Sequence, residues 1–250
     1  FIYFTHEVFC VMLQVKNLSV SYRGNYALRG INFNLEPGQL VGIFGPNGAG
    51  KSTMIKAMLN LIRATSGVVT FRGSPLKYKL DKVAYVAQRS QIDWDYPVKV
   101  KNVVMMARTI PTGLFRYPSR QSRELVQMAL KKVEIWDLRN RQIGELSGGQ
   151  QQRVFLARSL AQQAEIFFFD EPFVGVDRKT ENIIFEIFHE LQEQGKIVMV
   201  VSHDLGESIK NYSDILLLNK KIIAFGRREE VLNQHNLDIT YENHVLPSDT

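Results

Sequence analysis

Gly45-Pro46-Asn47-Gly48-Ala49-Gly50-Lys51-Ser52-Thr53 is the run in this chain whose residue types and spacing most directly specify chemistry. It fits the pattern G-x-x-x-x-G-K-[ST] and follows the apolar run Leu40 to Phe44, so its context is strand, glycine-rich turn, helix. The glycines let backbone N–H groups turn inward on phosphate oxygens. Lys51 supplies a point charge to the β and γ oxygens, and the Ser52 hydroxyl can ligate Mg²⁺. The spacing predicts a site for a nucleoside triphosphate with Mg²⁺. By itself it does not separate an ATP-driven motor from a GTPase switch or a small-molecule kinase.

A second landmark, Leu146-Ser147-Gly148-Gly149-Gln150, precedes the apolar run Ile166-Phe167-Phe168-Phe169, which ends in Asp170-Glu171. Locally, Ser147 reads as a helix N-cap followed by two glycines, and a helix N-terminus with exposed N–H groups is an anion site. In this order and context the LSGGQ run resembles the signature of ATP-binding cassette ATPases. That resemblance implies that Ser147, Gly148, Gly149 and Gln150 cover the γ-phosphate of an ATP held by the opposite subunit.

The resemblance also assigns roles to residues that alone say little. Tyr22, in the alternation Leu13, Val15, Leu18, Val20, matches the aromatic that stacks on adenine, joining Gly45, Pro46, Asn47, Gly48, Ala49, Gly50, Lys51, Ser52 and Thr53 as ATP-binding residues. Gln88, after Val83 to Val86, matches the glutamine that reaches Mg²⁺ and the attacking water. Asp170 would hold Mg²⁺ together with Ser52 and Gln88, while Glu171 polarises the hydrolytic water. His203, after the run Ile197 to Val201, matches the histidine that contacts the γ-phosphate, so the implied catalytic set is Glu171, His203 and Gln88. Asp177 stands in the loop that signals between two ATP sites, although Gly175 and Val176 depart from the usual small-residue pattern there.

The elements that must position these residues follow from patterning. Leu13 to Phe71 reads as an antiparallel β lobe joined to the first core strand, with Met54 to Ile62 continuing the P-loop helix. From about 89 to 158 the pattern turns helical, with Val103 and Ala107, then Leu125, Met128, Ala129 and Val133 on one face, and Pro111, Gly113 and Pro118 as breaks. The last third alternates strands (Ile166 to Phe169, Ile197 to Val201, Ile215 to Leu218) with a helix from Thr180 to Gln194. That alternation indicates βαβ units in a parallel sheet, closed by an edge hairpin from Lys220-Lys221 into Ile222 to Phe225. The expected fold class is α/β: a P-loop NTPase (RecA-like) core with a mainly parallel sheet, an antiparallel β lobe and an inserted α-helical lobe. Residues 1–11 read as an N-terminal extension before Met12, 12–233 as a single nucleotide-binding domain, and 234–250 as a polar tail of little periodicity.

Composition sets limits on the function. With 250 residues, 45% hydrophobic and 22% charged, the chain can bury one sizeable α/β core. Its apolar runs are strand-length, and residues 1–11 are too short and polar to span a bilayer and lack the features of a signal peptide. Cys10 is the only cysteine, which leaves no intramolecular disulfide and suits a reducing cytosol. A net charge of +6, with Arg116, Arg120, Arg123, Lys131, Lys132, Arg139 and Arg141 in mid-chain, could serve a nucleic acid or an anionic membrane surface. No aromatic interleaving or nucleic-acid motif accompanies these residues, so no nucleic-acid partner is expected.

One cassette holds half of each composite site, so the resemblance implies a head-to-tail pair, a homodimer or a pairing with a similar subunit, sandwiching two ATP molecules. Three readings of the driven machine follow: a membrane transporter, a soluble cassette acting on ribosomes or DNA, and a regulatory ATPase. The interval from Ser52 to Leu146 holds only a small helical lobe, which fits neither tandem translation factors nor coiled-coil chromosome organisers. With no fused membrane domain, separate permease subunits are implied, as in importers, placing the chain at the cytoplasmic face of the membrane. Gln88-Arg89-Ser90-Gln91-Ile92-Asp93-Trp94-Asp95-Tyr96-Pro97-Val98, then Val103 to Arg108 and Glu171 to Asp177, resemble the metal-chelate branch that imports manganese or zinc, with iron or an iron chelate as runner-up. In that branch the cargo is chosen by the membrane subunit and an extracytoplasmic metal-binding protein.

Overall fold

The computed structural model describes residues 11–91, 94, 96–113 and 117–241. Residues 1–10 of the N-terminal extension, including Cys10, together with Ile92, Asp93, Asp95, Arg116 and residues 242–250 of the tail, lie outside the described residues.

The chain opens with two long strands, β1 (Leu13–Tyr22) and β2 (Asn25–Leu35), joined by a tight turn at Arg23-Gly24 in which both residues take positive φ. Such a turn matches the right-handed twist of the strands it joins. Strand β3 (Leu40–Phe44) leads through the glycine-rich loop into α1 (Lys51–Met58). Strand β4 (Ser66–Phe71) and the short β5 (Ser74–Pro75) complete a four-stranded antiparallel sheet ordered β2-β1-β4-β5. After β6 (Val83–Val86) come the helices of the inserted lobe: α2 (Val100–Met105), α3 (Thr109–Thr112), α4 (Arg120–Lys132) and α5 (Gly148–Ala161). The chain then returns to the core with β7 (Ile166–Asp170), α6 (Arg178–Glu193), β8 (Ile197–Val201), the hairpin β9 (Asp214–Asn219) and β10 (Lys221–Arg227), α7 (Arg228–Val231) and α8 (Gln234–Tyr241). The second sheet runs β10-β9-β3-β8-β7-β6, parallel throughout except for the antiparallel edge strand β10.

The central strands are buried on both faces, and alternation along each strand divides their side chains between two cores. Ile166 and Phe168 of β7, Ile197, Met199 and Val201 of β8, and Val41 and Ile43 of β3 face a core shared with α1 and the antiparallel sheet. Phe167 and Phe169, Val198 and Val200, and Leu40 and Phe44 face the other core, shared with α5 and α6. Phe169 packs on Phe188 of α6 with ring centroids 4.6 Å apart, and burial of each such ring contributes about 1.5–3 kcal/mol. This two-sided burial makes β7 a rigid support for the two carboxylates at its end.

The elements differ from the sequence expectations in four places. The P-loop helix stops at Met58, because Asn60 takes a left-handed φ of 57° and turns the chain. On α4 the buried stripe is Ser122, Val126, Ala129 and Leu130, while Met128 is exposed. Helix α6 starts two residues earlier than expected because Asp177 caps it. The tail from 234 is helical as far as Tyr241, held by a bond from Asn219 Nδ2 to the Thr240 carbonyl at 3.0 Å and by Leu237 packing against the core. Among the described residues no helix is long and apolar enough to cross a membrane.

Candidate active site

The carboxyl ends of β3, β6, β7 and β8 converge, which is where open parallel sheets present their ligand-binding loops. At the end of β3 the loop backbone is drawn tightly against its neighbours. A Cβ on Gly45 would lie 2.0 Å from the Leu218 carbonyl oxygen, so only glycine permits this approach. The loop is tied to the β9–β10 turn by the Lys220 amide, which donates to the Ala49 carbonyl at 2.8 Å. Gly50 then starts α1 in a left-handed conformation with no side-chain cap, leaving the first-turn N–H groups free of side-chain acceptors.

Lys51 is only 7% exposed. Its ammonium donates to the carbonyls of Gly45 at 2.7 Å and Pro46 at 3.0 Å. The lysine is thus held across its own loop by neutral acceptors. Burial pulls its pKa below the ordinary lysine value, opposed by the charges of Glu171 and Asp170.

Alternation along β7 explains where its carboxylates go. Asp170 continues the Ile166, Phe168 face toward α1, and there Ser52 Oγ donates to Asp170 Oδ1 at 2.9 Å. The Asp170 residue is 1% exposed, and burial raises its pKa above the usual carboxylate value, partly offset by the Ser52 hydrogen bond. Tyr85 Oη approaches the other oxygen at 3.5 Å, and burial beside that charge raises its own pKa. Glu171 lies past the strand end at φ 53°, a left-handed conformation uncommon for a non-glycine residue. The turn swings it away from Asp170 and toward Gln88, whose Nε2 donates to Glu171 Oε2 at 2.6 Å. Strand register accounts for that meeting: Val86 pairs with Phe169, so two residues further on Gln88 stands beside Glu171.

A buried carboxylate whose hydrogen-bond partners are neutral hydroxyls is a natural cation ligand. The Ser52 hydroxyl and the Asp170 carboxylate already meet, and with the side-chain oxygen of Gln88 they could supply the oxygen donors that a hard divalent ion such as Mg²⁺ takes.

His203 leaves β8 on the same edge, since Asp170 pairs with Val201, and its side chain is exposed. Ser147, Gly148, Gly149 and Gln150 form the first turn of α5. The Ser147 hydroxyl accepts from the Gln150 amide at 3.3 Å, and the Gln150 side-chain oxygen accepts from the Ser147 amide at 3.0 Å. This reciprocal capping box fixes the end of the helix. Asp177 accepts from the Thr180 amide at 2.7 Å, and that bond holds its carboxyl below the usual range. In this chain alone Asp177 therefore serves as the cap of α6. Tyr22 is 54% exposed at the β1–β2 turn. Beside the loop lies a cleft of about 640 Å³ lined by Tyr26, Arg29, Asn47, Gly48, Asn219, Lys220 and Lys221, with the Arg29 guanidinium 5.5 Å from the Tyr26 ring. The structure thus brings Lys51, Ser52, Gln88, Asp170 and Glu171 together, whereas among the described residues Tyr22, Ser147, Asp177 and His203 make no side-chain hydrogen bond to that group.

Sequence reading assigns no role to Tyr85 or Gln151, and to Arg89 only a place in the Gln88 to Val98 run. Arg89 Nη2 donates to Gln151 Oε1 at 2.8 Å, across 62 positions of sequence. Their only local signal is adjacency to Gln88 and Gln150.

Residues 28–174 match the ABC transporter family. The manganese transport system ATP-binding protein MntB of Halalkalibacterium halodurans is 47% identical over 234 residues, covering 94% of this chain and 93% of that protein. The zinc transport system ATP-binding protein TroB of Treponema pallidum is 42% identical over 214 residues, covering 86% and 80%. Among solved structures, the dimeric post-hydrolysis state of an ATP-binding cassette bound to ADP and phosphate superposes with a TM-score of 0.75 at 29% identity, covering 87% of this chain and 99% of that one. The family match over residues 28–174, the phosphate-loop pattern with its paired carboxylates and these similarities over most of the chain have one meaning: the chain belongs to the ABC transporter family, as a nucleotide-binding ATPase subunit.

Proposed function

We propose that this chain powers a membrane importer of manganese or zinc, working as a head-to-tail homodimer on separate permease subunits at the cytoplasmic face of the membrane. An extracytoplasmic metal-binding protein would deliver the cargo. The observation that carries the ATPase half of this reading is the split of two adjacent carboxylates, Asp170 to Ser52 and Glu171 to Gln88. The metal half is supported by the names of the relatives that span nearly the whole chain.

In this reading the loop amides from Gly45 to Thr53 cradle the phosphates, and Lys51 exchanges its two carbonyl acceptors for β and γ oxygens. Ser52, Asp170 and Gln88 would hold Mg²⁺, which when bound neutralises charge developing on the phosphates. Glu171 accepts the proton of the attacking water, and Gln88, bonded to it, orients that water. His203 contacts the γ-phosphate, and Tyr22 offers its exposed ring to adenine. The capped end of α5, with Ser147 to Gln150, covers the ATP of the second copy, and Asp177 lies at the contact between the two sites.

The test of the cargo is elemental analysis of cells lacking the gene, grown at limiting manganese, zinc and iron. Manganese or zinc content falls and is restored by the wild-type chain but not by Glu171→Gln. Unchanged content of all three metals would overturn the metal reading and leave the ATPase reading standing.

A further inference from the structure

Arg89 follows Gln88 directly, and its side chain reaches two other regions of the site. Its Nη2 donates to Gln151 Oε1 at 2.8 Å, and Gln151 in turn donates through Nε2 to the Ile143 carbonyl at 3.1 Å. The buried Gln151 amide is thereby satisfied on both sides in one orientation. The guanidinium lies 5.5 Å from the centre of the Trp94 ring, whose Nε1 donates back to the Arg89 carbonyl at 3.0 Å. Trp94 itself packs edge-on against Phe155 of α5, with ring centroids 5.5 Å apart. The other nitrogen, Nη1, rests against Gly148 at the start of α5 and Gly175 of the loop before α6. A Cβ on Gly148 would stand 2.9 Å from it and 3.1 Å from the Gly175 carbonyl oxygen, and a Cβ on Gly175 would stand 3.6 Å from it.

These contacts join three segments separated in sequence: the loop of Gln88, the first turn of α5 and the loop leading to Asp177. Gln88 and Arg89 share a backbone, so a shift of Gln88 on its own ligands displaces the guanidinium. A guanidinium held by a hydrogen bond on one side and an indole ring on the other transmits such a shift with little slack.

We propose that Arg89 is a positioning residue that links ATP on this chain's own loop to the presentation of its α5 N-terminus, and hence to capture of the second copy's ATP. The inference rests on the roles given above to Gln88, Glu171 and Ser147 to Gln150. It assigns Arg89 no contact with nucleotide.

The experiment uses the full chain carrying Glu171→Gln as parent, with Arg89→Ala, Arg89→Lys and Gln151→Ala added separately. Two quantities are read: affinity for a fluorescent ATP analogue at protein concentrations where the chain is monomeric, and the protein concentration for half-dimerisation in MgATP by light scattering. Monomer affinity stays within about twofold, while the dimerisation midpoint rises about tenfold for Arg89→Ala and Gln151→Ala and less for Arg89→Lys. Combining Arg89→Ala with Gln151→Ala adds little to either alone, as expected for two ends of one bond. Equal midpoints for the parent and Arg89→Ala would overturn the coupling alone, and so would parallel losses of affinity and dimerisation. A parent that stays monomeric in MgATP would overturn the paired-site reading and the coupling with it.

Discussion

The loop half of the site and the helical half are built differently. Around the loop, polar groups are buried or half-buried and already partnered: buried Lys51 by two carbonyls, buried Asp170 by Ser52, half-buried Glu171 by Gln88. Around α5, Ser147 and Asp177 are exposed, and their bonds are local caps within one turn of their own helices. The first half is pre-formed for phosphate and cation chemistry within one chain. The second is a firm helix end turned outward, the form expected of a surface that completes its site on another molecule. Substitutions in the two halves should therefore fail in different ways.

The largest expected effect is in the loop half. Lys51→Ala removes the one cation held across the loop, and affinity for a fluorescent ATP analogue should fall by roughly 100-fold or more, the scale of losing charge-assisted contacts to phosphate. The circular dichroism spectrum should not change, because the Lys51 head group bonds only to its own loop. Unchanged affinity would break the contrast at its stronger end.

A second expectation concerns pH. Burial raises the Asp170 pKa, so the native state holds that proton more tightly than the unfolded chain. The charged carboxylate therefore lowers apo stability once pH exceeds its unfolded value, and the penalty vanishes as pH falls to the ordinary carboxylate range. Asp170→Asn should melt higher than wild type without nucleotide at neutral pH, with the difference shrinking on acidification, and should lose the stabilisation that MgATP gives wild type. Melting curves from pH 4 to 8, with and without MgATP, measure both.

The smallest effect belongs to the helical half. Ser147→Ala removes one member of the capping box at an exposed position and should cost about 1 kcal/mol of stability by denaturant titration. ATP affinity of the monomer should not change, whereas MgATP-dependent dimerisation should weaken. A loss of monomer affinity would show that the two halves are not separate.

Much of the loop half was legible because its information is local. Gly45 to Thr53 is one continuous run, and Asp170-Glu171 end a strand recognisable by its phenylalanines. Ser147 and Gln150 carry the capping box in their spacing. What escaped was pairing at a distance. The Arg89–Gln151 bond joins positions that no periodicity relates, and the Glu171–Gln88 contact depends on a β6–β7 register and a left-handed turn that only the folded chain reveals. Helix α8 escaped for a related reason: its partners, Asn219 on β9 and the core under Leu237, lie outside its own sequence. Asp177 carries the N-cap signal of α6 in its type alone, since an aspartate before a helix start accepts from the amide three residues on.

The central claim is that the two adjacent carboxylates of β7 do different work, and the most direct measurement compares Glu171→Gln with Asp170→Asn in MgATP by steady-state phosphate release and gel filtration. Glu171→Gln keeps shape and hydrogen bonding but loses the base, so hydrolysis should fall by roughly two to four orders of magnitude while ATP stays bound and the chain elutes as a dimer. Asp170→Asn should lose Mg²⁺-dependent binding and elute as a monomer. Wild-type phosphate release by Glu171→Gln, or the same elution behaviour in both variants, would contradict the account.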